Sequence, residues 1–294
     1  MTEFFQSIVD FFQSATFQTV FDALNSGFIR TLELFFITLI CALPLGLIIA
    51  FGSMNRWAPL KWPVYWVQQG KRRRWERKHP DGPAYAPKTL PPTAGRVRRF
   101  FFQLSRRLVK GLCNFRPISL ICRLVVWIIR GTPLVLQIIA IFYVPGMKNL
   151  FTWPGGTSSR MVAACVAFVI NYACYFSEIY RGGIQGVPVG QQEAGQVLGM
   201  TKWQIFRHVT LLQMIKRIVP PMSNEVITLV KDTSLARVIA LQEIIWMGES
   251  FMKGNSGISG LVWPLFFTAI YYLIFSGIVT VLLAKLEKKL ALYR

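Results

Sequence analysis

Glu178-Ile-Tyr-Arg-Gly-Gly-Ile-Gln-Gly-Val-Pro-Val-Gly-Gln-Gln-Glu-Ala-Gly195 opens a polar, glycine-punctuated stretch that runs on to Lys231-Asp-Thr-Ser-Leu235 inside an otherwise apolar sequence. It begins where one apolar run ends and continues into the next. At 294 residues, 53% hydrophobic and a mean hydropathy of +0.42, the chain carries more apolar surface than a soluble core of this size needs. Uncharged runs at Leu34 to Phe51, Gly131 to Met147, Met161 to Ser177 and Asn255 to Ala284 approach or exceed the roughly 17 to 25 residues that cross a bilayer. A fifth candidate, Ile218 to Val230, contains one carboxylate, Glu225. The chain reads as an all-α integral membrane protein with five transmembrane helices.

The net charge of +20 is unevenly placed: between Asn55 and Arg116, 16 Lys and Arg face only Glu76 and Asp81, which leaves +14 in one inter-span segment. The positive-inside rule puts that segment in the cytoplasm. The first 27 residues carry three acids and no base, whereas the chain ends with Lys285, Lys288, Lys289 and Arg294. An odd number of spans with the N-terminus outside and the C-terminus cytoplasmic meets both conditions. Within residues 1–27, Phe4, Phe5, Ile8, Val9 and Phe12, then Val20, Phe21 and Leu24, recur at helical spacing, which predicts an interfacial amphipathic segment. A signal peptide would need basic residues ahead of its apolar core, and the first base is Arg30.

The basic insertion at 55–116 holds Trp57, Trp62, Tyr65 and Trp66, then Lys71-Arg-Arg-Arg-Trp-Glu-Arg-Lys78, then a proline-rich piece. Tryptophans beside clustered bases suit a headgroup layer and anionic lipid. RNA or DNA binding would use the same chemistry, with aromatic rings stacking on bases. A membrane scaffold or nucleic-acid tether acting through this segment is therefore one reading of the whole chain.

Arg130-Gly-Thr-Pro133 places a base and a helix breaker at the start of the second apolar run, costly unless they face protein or a wet cavity. Glu178 leaves the third run with Arg181 three residues on as its structural partner, and Gly182, Gly183, Gly186 and Pro188 are expected to end the helix. Gly199 suits the residue just past a short helix, and Thr201 with Gln204 has capping-box spacing for a second one. Glu193, Ala194 and Gly195 on one side and Trp203 and Phe206 on the other would make a compact knob. By itself Glu193 also fits a solvated carboxylate favoured by a helix dipole.

In the fourth run, Pro220-Pro221, Asn224 and Glu225 precede Lys231-Asp-Thr-Ser234. Ionisable and polar groups at membrane depth mark pathways, which makes Arg130, Thr132, Asn224, Glu225, Thr233 and Ser234 candidates for a translocation path. Thr233 and Ser234 could equally cap a following helix, Ala236 to Ile245. No Gly-x-x-x-x-Gly-Lys-Ser/Thr phosphate loop is present, and the two histidines, His79 and His208, lack a carboxylate or serine spaced as a catalytic set. Five scattered cysteines show no metal-ligand spacing. Neither a catalytic residue, a metal site nor a bound cofactor is expected, and a secondary transporter is a further reading.

The run from Glu193 to Gly199 resembles the EAA loop of permease subunits of ATP-binding-cassette importers, more narrowly the polar amino-acid permease family. Arg130-Gly-Thr-Pro133, Ser177 to Ile184, Val187-Pro-Val-Gly-Gln191, Asn224-Glu225 and Lys231 to Leu235 resemble that family's recurring segments, and the likeness covers roughly Gly27 to Arg294. It implies a type I importer permease with cytoplasmic coupling helices in the 187–207 loop. That loop would dock through Glu193, Ala194, Gly195, Gly199, Trp203 and Phe206 into ATPase subunits, which hold ATP and Mg. It also implies an extracytoplasmic solute-binding protein, a second permease subunit in a homodimer or heterodimer, and the bacterial inner membrane. Two departures are Gly195, where the pattern has alanine, and Leu212, where it has proline. A glycine costs a helix about 1 kcal/mol against alanine, so a softened first coupling helix is expected.

Overall fold

The computed structural model describes residues 14–59, 61–78, 103–104, 107, 115–153, 155–254, 257–258 and 260–291, and among them every regular element is helical. The chain divides into a larger unit, Met1–Phe51 with Val125–Arg294, and a smaller one, Gly52–Leu124. In the order of the chain, the α-helices are α1 (Ala15–Met54), α2 (Lys61–Lys78), α3 (Pro117–Gly131), α4 (Leu134–Met147) and α5 (Thr157–Gln185). The short α6 (Val189–Val197) and α7 (Lys202–Ile205) follow, then a π-turn at Phe206–Thr210 and α8 (Leu211–Asp232). A 3₁₀ segment, Thr233–Ile239, leads to α9 (Ile244–Lys253) and α10 (Trp263–Ala291).

Among the described residues α1, α5 and α10 are long and apolar enough to cross a membrane, and the bent pair α3–α4 makes up to four spans. The fifth expected span, Ile218 to Val230, lies inside α8, which has the length but not the apolarity. Its Lys216, Arg217, Glu225 and Asp232 line cavities, and Lys231 stands in its last turn.

The larger unit packs around α5. Phe35 on α1, Phe168, Tyr172 and Phe176 on α5 and Leu229 on α8 are buried together, and Ala163, Ala164, Ala167 and Ala173 keep α5 narrow enough for its neighbours to approach. A Cβ on Gly46 of α1 would lie 2.9 Å from the Ala173 carbonyl oxygen, so glycine sets that approach. Glycine acts similarly at Gly183, where the Ile218 side chain of α8 fills the space a Cβ would need. This corrects the expectation that Gly182 and Gly183 end the helix. α5 runs on to Gln185 because Gly183 serves a helix–helix contact instead of a turn.

α1 runs from Ala15 through residue 27 to Met54 as one helix. Val20 and Leu24 are fully buried against Ile244 and Phe251 of α9, with Trp263, Phe267 and Tyr271 of α10 around them. One face of residues 15–27 is thus packed against protein, with Gln18, Phe21 and Asp22 exposed on the other, while residues 1–13 lie outside the described residues. The last span begins at Trp263 instead of Asn255.

The helix expected from Ala236 to Ile245 is also replaced. The 3₁₀ segment ends at Ala240, whose φ is +54°, and α9 starts afresh at Ile244 with Glu243 as its N-cap. The fully buried Glu243 carboxylate accepts the Ile245 and Trp246 N–H groups at 2.9 and 2.8 Å and the Tyr272 hydroxyl at 3.4 Å. Glu243 lies on the turn outside the candidate spans, and burial pushes its carboxyl up to about 7 from an ordinary 4.5, against the opposing pull of the two backbone N–H groups. Because the folded protein holds this proton more tightly than the unfolded chain, the associated stability is complete below about pH 4.5 and is lost as pH rises through about 7, on the order of 3 kcal/mol in total. Thermal unfolding in detergent is expected to show a lower midpoint at pH 7.5 than at pH 5.5, and Glu243→Gln should flatten that dependence. An unchanged slope in the variant would assign it to other groups.

Candidate functional site: a polar cavity joined to an exposed knob

The break between α3 and α4 starts from Pro133, whose ring cannot continue the helix of the preceding residues. The two helices bend by 104° there. Gln137, one turn into α4, repairs the opened backbone: its Nε2 donates to the Ile129 carbonyl at 2.8 Å and to Thr132 Oγ1 at 2.9 Å. Its Oε1 accepts from Asn171 Nδ2 of α5 at 3.0 Å, which ties the break to the central helix. Arg130, the last base before the break, lies 5.0 Å over the Tyr175 ring and 3.8 Å from Glu178 Oε2. Arg181 Nε donates to the other oxygen of that carboxylate, Oε1, at 3.1 Å, and its Nη2 donates to Oε2.

Two cavities meet at this arginine. One, of about 520 Å³, is lined by Arg130, Thr132, Asn171, Tyr172, Tyr175, Glu225, Thr228 and Asp232. The other, of about 640 Å³, is lined by Arg130, Tyr175, Glu178, Lys216, Arg217 and Glu225 together with the glycines and prolines of α5 and α8. Arg130, Tyr175 and Glu225 are common walls. On α8, Glu225, Thr228 and Asp232 recur at i, i+3 and i+7 and so share one face; Asp232 accepts the Tyr172 hydroxyl at 2.7 Å.

Of the path residues named from sequence, Arg130, Thr132 and Glu225 line the first cavity. Asn224 is exposed about 100° round α8 from Glu225. Thr233 is fully buried, with its hydroxyl donating to the Val230 carbonyl at 2.7 Å, and the Ser234 hydroxyl donates to that of Lys231 at 2.8 Å. Both bond back to the helix they leave, so neither caps a following one. Asn171, Tyr172, Tyr175 and Asp232 join the cavity without having been singled out for it. Asn171, Tyr175 and Glu178 stand at i, i+4 and i+7 in a nearly apolar helix, a polar stripe that sequence reading could have found.

The knob is built by two caps in series. The Met200 N–H reaches the Gly195 carbonyl at 3.0 Å and the Gly199 N–H that of Gln196 at 2.9 Å, a Schellman motif with Gly199 at φ +72°. Thr201 and Gln204 then close a capping box at the start of α7. Glu193 and Ala194 are exposed on α6, and Glu193 is its fifth residue, past the first turn where a helix dipole acts. Gly195 is buried, because Ile205 of α7 stands where its side chain would be: a Cβ there would lie 2.8 Å from Ile205 Cγ1. The glycine expected to soften α6 is the contact that lets α6 and α7 pack. Trp203 and Phe206 stack with ring centroids 5.7 Å apart. With Val197 88%, Leu198 79% and Trp203 66% exposed, the knob carries an apolar surface that none of the described residues covers.

Residues 111–292 match the family described as binding-protein-dependent transport system inner membrane component. The octopine transport system permease protein OccM of Rhizobium radiobacter is 37% identical over 162 residues, 52% of this chain and 66% of that relative. The chain thus spans just under two thirds of that relative. The glutamine transport system permease protein GlnP of Escherichia coli is 33% identical over 165 residues, 55% of this chain and 71% of the relative. The arginine transport system permease protein ArtQ of Bacillus subtilis is 33% identical over 186 residues, 62% and 81% respectively. In fold the chain is similar to a crystal structure of an amino acid ABC transporter with histidines, at a TM-score of 0.64 and 23% identity over 93% of this chain and 97% of that one.

Proposed function

The chain belongs to the family of binding-protein-dependent transport system inner membrane components, and from that premise we propose that it is the permease subunit of an ATP-driven importer of polar amino acids. The observation that carries this reading is a connection. The knob, 188–210, is the link between α5 and α8, and these are the helices that supply Tyr175, Glu178, Glu225 and Asp232 to the cavities. A partner that grips the knob therefore pulls on both cavity walls.

In this reading ATP and Mg are bound by separate ATPase subunits, which the exposed Glu193, Ala194, Val197, Leu198, Trp203 and Phe206 meet, while Gly195 and Gly199 shape the surface. An extracytoplasmic binding protein delivers the solute, and a second permease subunit, identical or related, completes the pore. The N-terminus lies outside and the C-terminus in the cytoplasm. A zwitterionic solute would set its carboxylate on Arg130 and its ammonium toward Glu225 and Asp232. This chain supplies binding groups and motion, and no catalytic residue.

Co-expression with the candidate ATPase and affinity purification through this chain tests the reading. An ATPase should co-purify, and truncating the knob's Glu193 to Gly199 turn should lose it. Nucleic acid without an ATPase would favour a tether, and ion-coupled uptake without ATP a secondary transporter.

A further inference from the structure

The strongest feature that transport leaves unused is the smaller unit, whose residues 52–110 lie outside the family match at 111–292. Its base is fixed. Ser119 Oγ of α3 donates to the Ser53 carbonyl at the end of α1 at 2.6 Å, Arg123 Nε reaches the same oxygen at 3.3 Å, and Gly52 leaves room for Cys122. From Met54, six residues lead to α2, so the helix begins within roughly 25 Å of the end of a candidate span.

Apart from Lys61 at its start and Trp75 inside the basic run, apolar and basic residues in α2 separate along the axis instead of around it. Trp62-Pro-Val-Tyr-Trp-Val67 comes first and Lys71 to Lys78 second. Tyr65 and Trp66 are exposed, as is Trp57 ahead of the helix, and so are Arg72, Arg73, Arg74 and Arg77. Four exposed guanidiniums within six residues suit phosphate, which each can grip through two N–H groups. Exposed tryptophans and tyrosine suit the layer between headgroup and acyl chain. A helix tethered this close to a membrane exit meets the bilayer surface before any soluble polyanion.

We propose that α2 and its flanking tryptophan form a binding site for the phosphate headgroups of acidic phospholipids at the membrane face where α1 ends. The site is independent of what the transporter carries. Its occupant is lipid, chosen over nucleic acid by the tether and by the order of aromatic before basic residues leading away from the span.

Tyr65 replaced by benzoylphenylalanine, in the full-length chain reconstituted in phosphatidylcholine vesicles with a minor share of phosphatidylglycerol, allows a direct test by irradiation and mass analysis of the adducts. Phosphatidylglycerol is expected in the adducts at about fivefold above its share of the bilayer. High salt should return it to that share, and so should Arg72→Gln with Arg73→Gln, Arg74→Gln and Arg77→Gln. The salt series needs no variant beyond the probe. Adducts that mirror bulk composition at low salt, adducts without lipid, or adducts to RNA or DNA would each overturn the proposal.

Discussion

Gly199→Val is expected to abolish ATP-driven uptake while leaving the protein inserted and able to support ATP hydrolysis by its partner. At φ +72° an L-residue is strained by roughly 1–2 kcal/mol, and a β-branched one by more. A Cβ at this position meets nothing within 4 Å, so the penalty is purely one of backbone conformation. The strain is relieved by unwinding the Schellman turn, and the apolar residues on either side, Val197, Leu198 and Trp203, then lose their fixed arrangement. Uptake and ATP hydrolysis measured together in proteoliposomes should separate, with uptake falling by about two orders of magnitude for a turn that fails to couple, a barrier change near 3 kcal/mol. Glu193→Ala, which removes an exposed carboxylate without touching the backbone, should lower uptake less far and likewise leave ATP hydrolysis in place. Wild-type uptake in both variants would remove the knob from the coupling pathway.

The second large effect is expected at the wall shared by the two cavities. Glu225→Ala should lower the maximal uptake rate by about a hundredfold, because a polar solute then meets Arg130 without the opposing charge that positions it, and sites built from buried polar groups discriminate steeply when one is missing. Arg130→Gln should act comparably and also loosen the Glu178 environment, since Arg130 lies 3.8 Å from that carboxylate. Ser234→Ala offers the contrast. Its hydroxyl is bonded to the Lys231 carbonyl and does not line either cavity, so uptake should stay within about twofold of wild type. Initial-rate uptake across a solute series distinguishes these cases, and wild-type transport by Glu225→Ala would contradict the path.

What could be read beforehand follows the range of the interactions involved. The Gly199 turn and the Thr201–Gln204 box depend on neighbours within five residues, and their spacing alone announced them. The role of Gly183 depends on Ile218, 35 positions away, and local reasoning made it a helix end. The packing role of Gly195 is equally non-local: propensity counts only its cost in an isolated helix, whereas Ile205 occupies the space a side chain there would need. Arg130 and Glu225 were conspicuous because charge is rare at membrane depth. Tyr172 and Tyr175 were not, since an aromatic residue in an apolar run reads as core until the Asp232 bond and the Arg130 contact are seen. Gln137 had no signal of its own, because only the bend at Pro133 creates the carbonyls it satisfies.

The contact between Gly183 and Ile218 has a mechanical meaning. Ile218 is seven residues from Leu211 at the knob end of α8 and seven from Glu225 at the cavity, about 10 Å either way along the helix. A close contact midway between load and effort is a fulcrum with arms of equal length. A rigid tilt of α8 about it would carry Glu225 about as far as Leu211 moves, in the opposite sense, as long as Pro220 and Pro221 between fulcrum and cavity hold the helix stiff.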